Sequence, residues 1–215
     1  MNVNPKSLVT DNYITASCVI EKGSVYKNGS SLYENAAALP EFLSGVYHHF
    51  QLAYPKFYKM DNLSKLGWLA AEILLKDSFE KENYKPEDSA VILANANSSL
   101  DDDLKYSDSI KDGASPSLFV YTLPNIVIGE ICIRNHFKGE QAFYIQQEFD
   151  ADFIVQQVNY LLDKNIQQAC ICGWVDVLKE EYKAVLFLVE KVKKEKSVLF
   201  STENMDSIFG GKGAI

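Results

Sequence analysis

The sequence predicts an α/β protein, a sheet of four or five strands with helices packed on both faces. Three observations lead there. Short β-branched or apolar runs alternate with longer segments of helical periodicity, the order that builds a layered sheet. Residues 90–94 (AVILA) are apolar without a break, as a strand covered on both faces is. With 47% hydrophobic and 23% charged side chains, the 215 residues have the balance of a soluble globular chain. A chain of this length buries roughly 70% of its unfolded surface and needs no disulfide or metal staple.

In chain order, residues 13–21 (YITASCVIE) form the first strand, bounded by Asn12 and Gly23. Residues 62–77 place Leu63, Leu66, Leu69, Ala70, Ile73 and Leu74 on one helical stripe, with Asp61 or Asn62 as N-cap. The second strand, 90–94, stops at Asn95-Ala96-Asn97. The acids Asp101, Asp102 and Asp103 read as a solvated helix start, since the spaced oxygen ligands of a calcium loop are missing. Residues 124–136 are apolar nearly all round, which predicts a helix that is buried or lies at an interface, with Gly139 closing the turn after it.

Residues 142–146 (AFYIQ) give a third strand. Residues 150–163 give a helix with acids in its first turn, where the helix dipole favours them. Residues 168–177 and 182–192 are the fourth and fifth strands, and 197–200 extend or follow the last one. The tail, 201–215 with its Gly-Gly-Lys-Gly, is expected to be mobile. There is no internal repeat or low-complexity linker, so residues 1–215 are expected to form one domain.

Charge and composition narrow the function. The net charge is −8, and Arg134 is the single arginine among 21 basic residues. That balance disfavours nucleic acid and anionic membranes as partners and leaves little for bidentate phosphate clamps. The first ten residues have neither a basic region nor an apolar core of a secretion signal, and no run reaches the ~18 apolar residues of a membrane span. Cys18, Cys132, Cys170 and Cys172 lie in apolar runs and read as buried reduced thiols. Cys170 and Cys172 are too close in sequence for a zinc knuckle, and a cytosolic protein without metal or cofactor is the expectation. His48, His49 and His136 each lack an evident partner for catalysis, and no phosphate-cradling or nucleophile-elbow motif is present.

One stretch is specific. Ser115-Pro116-Ser117-Leu118-Phe119, Thr122-Leu123-Pro124-Asn125, Gly129, Ile133-Arg134 and Phe137-Lys138-Gly139 resemble a segment of the β-ketoacyl-acyl-carrier-protein synthases. Lys59-Met60-Asp61 followed by Leu69-Ala70-Ala71-Glu72, residues 90–94, Leu161-Leu162, and Ala169-Cys170-Ile171-Cys172-Gly173 match the same family in the same order. The resemblance covers about residues 50–190.

It implies an α-β-α layered half of a thiolase-like fold, with a five-stranded mixed sheet of order 3-2-1-4-5. It also places the family's nucleophilic cysteine at Glu148, and Ala151 at the elbow glycine. A carboxylate cannot form the acyl-thioester that condensation requires. The family's catalytic histidine motifs have no counterpart after residue 190, so the resemblance implies no catalytic residue here.

A lone half-fold leaves apolar surface that needs a partner. The family pairs the strand before its nucleophile across a dimer, so residues 142–146 are expected at a sheet edge, paired with another chain. The implied partner is a second copy or a full-length ketosynthase, with acyl carrier protein reached through that partner. The function implied is a non-catalytic, chain-length-factor-like subunit of a type II fatty-acid or polyketide-like pathway. Two alternatives are a divergent acyl-thioester enzyme (a decarboxylase or thioesterase) using Glu148 as base, and an acyl-binding module. A purely structural role for Glu148 is that it only caps the helix. The candidate interface or acyl-pocket residues are Phe119, Asn125, Ile128, Phe143, Ile145, Gln147, Glu148 and Phe149, with the aromatic segment 46–58 as a further possible lining.

Overall fold

A computed structural model describes residues 11–211. Three strands open the chain: β1 (Tyr13–Glu21), β2 (Ser24–Lys27) and β3 (Ser30–Glu34). Helices α1 (Leu39–His49) and α2 (Asn62–Leu75) lead to β4 (Ser89–Asn95). Then come α3 (Leu100–Ser109), α4 (Pro116–Val120), α5 (Ile126–Asn135), β5 (Gln141–Ile145) and α6 (Ala151–Asp163). The chain continues with β6 (Ala169–Leu178), β7 (Glu181–Glu190), β8 (Val198–Leu199) and α7 (Thr202–Phe209).

The layered α/β architecture is as the sequence predicts, with one mixed sheet between two helical layers. Alternation along the strands divides the core. Val91, Leu93, Ile171, Leu186 and Leu188 face α1, α2 and α5. Ala90, Ile92, Cys170, Cys172, Val185 and Phe187 face α6 and α7. The predicted helix 62–77 is α2, capped by Asp61, which accepts from Leu63 N and Ser64 N. All four cysteines are buried and free of disulfides.

Among the described residues the sheet has eight strands rather than five, in the order β3-β2-β1-β7-β6-β4-β5 with β8 beside β1. Numbered as the sequence anticipated, the five long strands run 3-2-4-5-1, which corrects the expected 3-2-1-4-5. The reason is local. β4 and β6, both apolar on two faces, pair directly and in parallel from Ser89–Ala169 to Ala94–Trp174, leaving no place between them. β6 and β7 form a hairpin ten residues long on each side, and β1 joins the free side of β7 antiparallel. At Gly173 the backbone has φ +141°, and a Cβ there would stand 2.0 Å from Val185 O, so β6 and β7 come together only with glycine.

Strands β2 and β3 are short and largely polar, so no apolar run announces them. Their turns, Lys22-Gly23 and Asn28-Gly29, have positive φ at both residues, as tight hairpins require. The expected mobile tail is a second correction. Residues 202–209 form α7, capped by Ser201 and burying Met205 and Ile208 against the sheet. The last residues of that tail lie outside the described range.

Candidate functional site

The carboxyl ends of the parallel strands β4, β5 and β6 point to one end of the sheet, where ligands bind in open α/β layers. The turn from β5 into α6 lies there, at residues 146–150. Among the described residues β5 is the terminal strand of the sheet, as expected, and pairs only with β4 on its inner side.

Neighbouring loops fix this turn. Gln146 N donates to Asn95 O at 2.9 Å. The buried Asn95 carboxamide ties its own loop, donating to Ser98 O at 2.8 Å and accepting from Ser98 N at 3.0 Å. Asn97 donates twice to Asp176, through its backbone N at 3.0 Å and its Nδ2 at 2.7 Å. Asp150, not Glu148, caps α6, accepting from Phe153 N at 2.9 Å, which corrects the reading of Glu148 as the helix cap. Phe149 turns inward and stacks on Phe209 of α7.

Between the turn and α7 lies a hollow of about 430 Å³, edged by the carboxylates of Glu148, Asp150, Asp152 and Asp206. Gln146 also borders it, and its Oε1 is buried without a hydrogen-bond partner among the described residues. Glu148 itself is exposed. The hollow offers acceptors and negative charge and contains neither a thiol nor an imidazole. The cysteines lie in the core, where burial pushes the Cys18 and Cys132 thiols up to about 12. Among the described residues no group of three or more His, Cys, Asp or Glu is placed to hold a metal ion.

Of the residues singled out by sequence, Gln147, Glu148 and Phe149 share this hollow. Ile128 is buried in the α2–α5 layer, and Phe143 packs against that same core from β5. Phe119 on α4 and Ile145 on β5 are exposed, 57% and 52%, and Asn125 is exposed at the start of α5. The aromatic segment 46–58 packs on itself and α2, with Tyr47 stacked on Phe57 at 4.3 Å and Tyr54 on Trp68 at 5.2 Å. It is a core corner. Sequence reasoning missed Asp206, Thr202 and Phe209, whose signal was the apolar spacing of Met205, Ile208 and Phe209 after the N-cap Ser201.

No family model matches the chain, and no curated protein matches it in sequence. Solved structures share its fold. The ishigamide ketosynthase/chain length factor superposes with a TM-score of 0.59 at 15% identity, covering 84% of this chain and 62% of that one. A type II polyketide synthase ketosynthase, in complex with its acyl-carrier protein, gives 0.56 at 12% identity, with coverage of 84% and 62%. A β-ketoacyl synthase from Burkholderia phymatum STM815 gives 0.57 at 10% identity, with 85% and 59%. The chain therefore has a ketosynthase-like thiolase fold. It spans about three-fifths of the length of these chains.

No helix among the described residues is long and apolar enough to cross a membrane.

Proposed function

We propose that the chain is a non-catalytic, ketosynthase-like subunit of a type II polyketide or fatty-acid-like pathway, working in the cytoplasm as the partner of a full-length ketosynthase. The observation that carries this reading is a strand whose outer side has no partner among the described residues, followed by a turn without a thiol. β5 presents a free edge, and the turn that follows it holds Glu148 where the ketosynthase resemblance places a thiol. Two of the similar structures support the role: one is a ketosynthase/chain length factor, another a ketosynthase with its acyl-carrier protein.

The surface beside β5 fits a partner. Ile145 on the strand and Ile133 on α5 are 52% and 60% exposed. Between Ile126 and Ile133 stands Gly129, and among the described residues nothing beyond its chain neighbours and the backbone of its own helix lies within 4 Å of where its Cβ would be. Glycine within a helix costs about 1 kcal/mol relative to alanine, and a close approach by another chain is a reason for it. In this reading acyl carrier protein is met through the ketosynthase, and this chain shapes the shared acyl space.

The test is condensation by the assembled complex. Alkylating the ketosynthase thiol abolishes turnover, whereas Glu148→Gln leaves it within about twofold. A loss beyond about tenfold in Glu148→Gln, equivalent to ~1.4 kcal/mol of barrier, would instead assign chemistry to Glu148 and overturn the non-catalytic reading.

A further inference from the structure

Helix α3 is amphipathic the wrong way round. Its two buried residues are acids, Asp101 and Asp102 at 8% and 2% exposure, while Leu100 and Leu104 are 41% and 45% exposed. On helix α4, Phe119 and Val120 are exposed as well, at 57% and 48%, and Phe119 lies against Tyr106 of α3. A helix without an apolar inner stripe is held by its polar contacts, and these can be named. Asp101 accepts from Lys179 N at 2.9 Å, from Lys105 Nζ at 2.6 Å and weakly from Asn62 Nδ2 at 3.5 Å. Ser99 Oγ donates to Thr122 O at 2.8 Å, tying the start of α3 to the end of α4.

Asp102 is different. Its Oδ2 is buried and has no partner among the described residues. Among the described residues the charges facing it are Asp61 at the start of α2, Asp101 and Asp103 on its own helix, and one cation, Lys105. Lys65 on α2 faces Asp61 and Lys105. Ionised, Asp102 is a desolvated anion among three others.

We propose that α3 and α4 form a proton-gated cap over the ends of β4 and β6, seated while Asp102 carries its proton and loosened when Asp102 ionises. The cap begins at Ser99, in the loop whose Asn95 holds Gln146, so its release frees the loop that positions the turn after β5.

Burial first, then the charge of Asp61, holds the Asp102 carboxyl up at about 6. A carboxyl that keeps its proton better in the seated state favours seating wherever the proton is on. That advantage is complete below about pH 4, the range of a free aspartate, and is lost as pH rises through about 6. Asp61 is buried as well, and burial shifts it in the same direction.

Hydrogen exchange on the intact chain tests this, measured from pH 4.5 to 7.5 and corrected for the intrinsic rate. Opening at residues 100–109 and 116–120 should increase by roughly 25-fold across the range, while the amides of α6 keep constant protection. Asp102→Asn should remove most of the step. Protection of α3 that does not change with pH, or an equal change in α6, would overturn the proposal. The unmodified chain decides this by itself should Asp102→Asn fail to fold.

Discussion

The rings of Phe149 and Phe209 stack with centroids 4.0 Å apart and planes within 3° of parallel. One ring belongs to the turn before α6 and the other ends α7, so this contact holds the last helix over the candidate site. Lys183 secures the same point, with Nζ 4.1 Å from the Phe209 ring and 2.7 Å from its carbonyl oxygen.

Phe209→Ala should therefore lower the free energy of unfolding by about 2 kcal/mol in urea, less than a fully buried phenylalanine because the side chain is only partly buried. Combined with Phe149→Ala, it should show a coupling of about 1 kcal/mol. Strictly additive losses would mean that the two rings do not support each other.

Glu190 anchors the opposite end of the sheet. It is 1% exposed and accepts from Tyr84 OH at 2.6 Å, from Lys194 Nζ at 2.6 Å, and from Thr15 Oγ1. Glu190→Ala should cost about 3 kcal/mol, because buried donors are left without their acceptor. Calorimetry at neutral pH would show the fall in melting temperature.

The same contact predicts alkaline sensitivity. Burial and Glu190 hold the Tyr84 hydroxyl well above the usual tyrosine range. The folded state thus keeps this proton longer than the unfolded chain, and its contribution is lost as pH rises beyond about 10. Tyr84→Phe should reduce the drop in stability between pH 9 and 11. An undiminished drop would assign it to other groups, of which Tyr121 is shifted the same way.

The thiols should be silent in the folded protein. Burial raises Cys18, Cys132 and Cys172, with Cys170 beside Cys172 adding to the effect there. An aromatic disulfide reagent at pH 8 should react with all four cysteines in denaturant and with almost none in native buffer. Rapid labelling of one native thiol would show that its layer opens.

The layered fold was legible because its signals are strong: the Asp61-capped stripe of α2, the unbroken apolar strand β4, and the acid-led α6. Strand order was not, since periodicity shows which residues are covered and not which strand covers them. The β6–β7 hairpin, inserted beside β1, is a tertiary choice. Both early hairpin turns were present as Lys22-Gly23 and Asn28-Gly29, but the polar strands around them gave no apolar run to attract notice. At the site, the position of Glu148 on the strand-to-helix turn was readable. The partners of that turn were not, because Asp206 and Phe209 approach it from a segment whose glycines pointed to disorder.

The central claim is that β5 pairs with a full-length ketosynthase. The most direct measurement is the mass, by size-exclusion chromatography with light scattering, of the complex formed when the 24.2 kDa chain is co-expressed with that ketosynthase. The account predicts a one-to-one heterodimer that Ile145→Lys dissolves, while the isolated variant keeps its stability to within about 0.5 kcal/mol. A chain that elutes alone as a monomer, beside a ketosynthase paired only with itself, would contradict it.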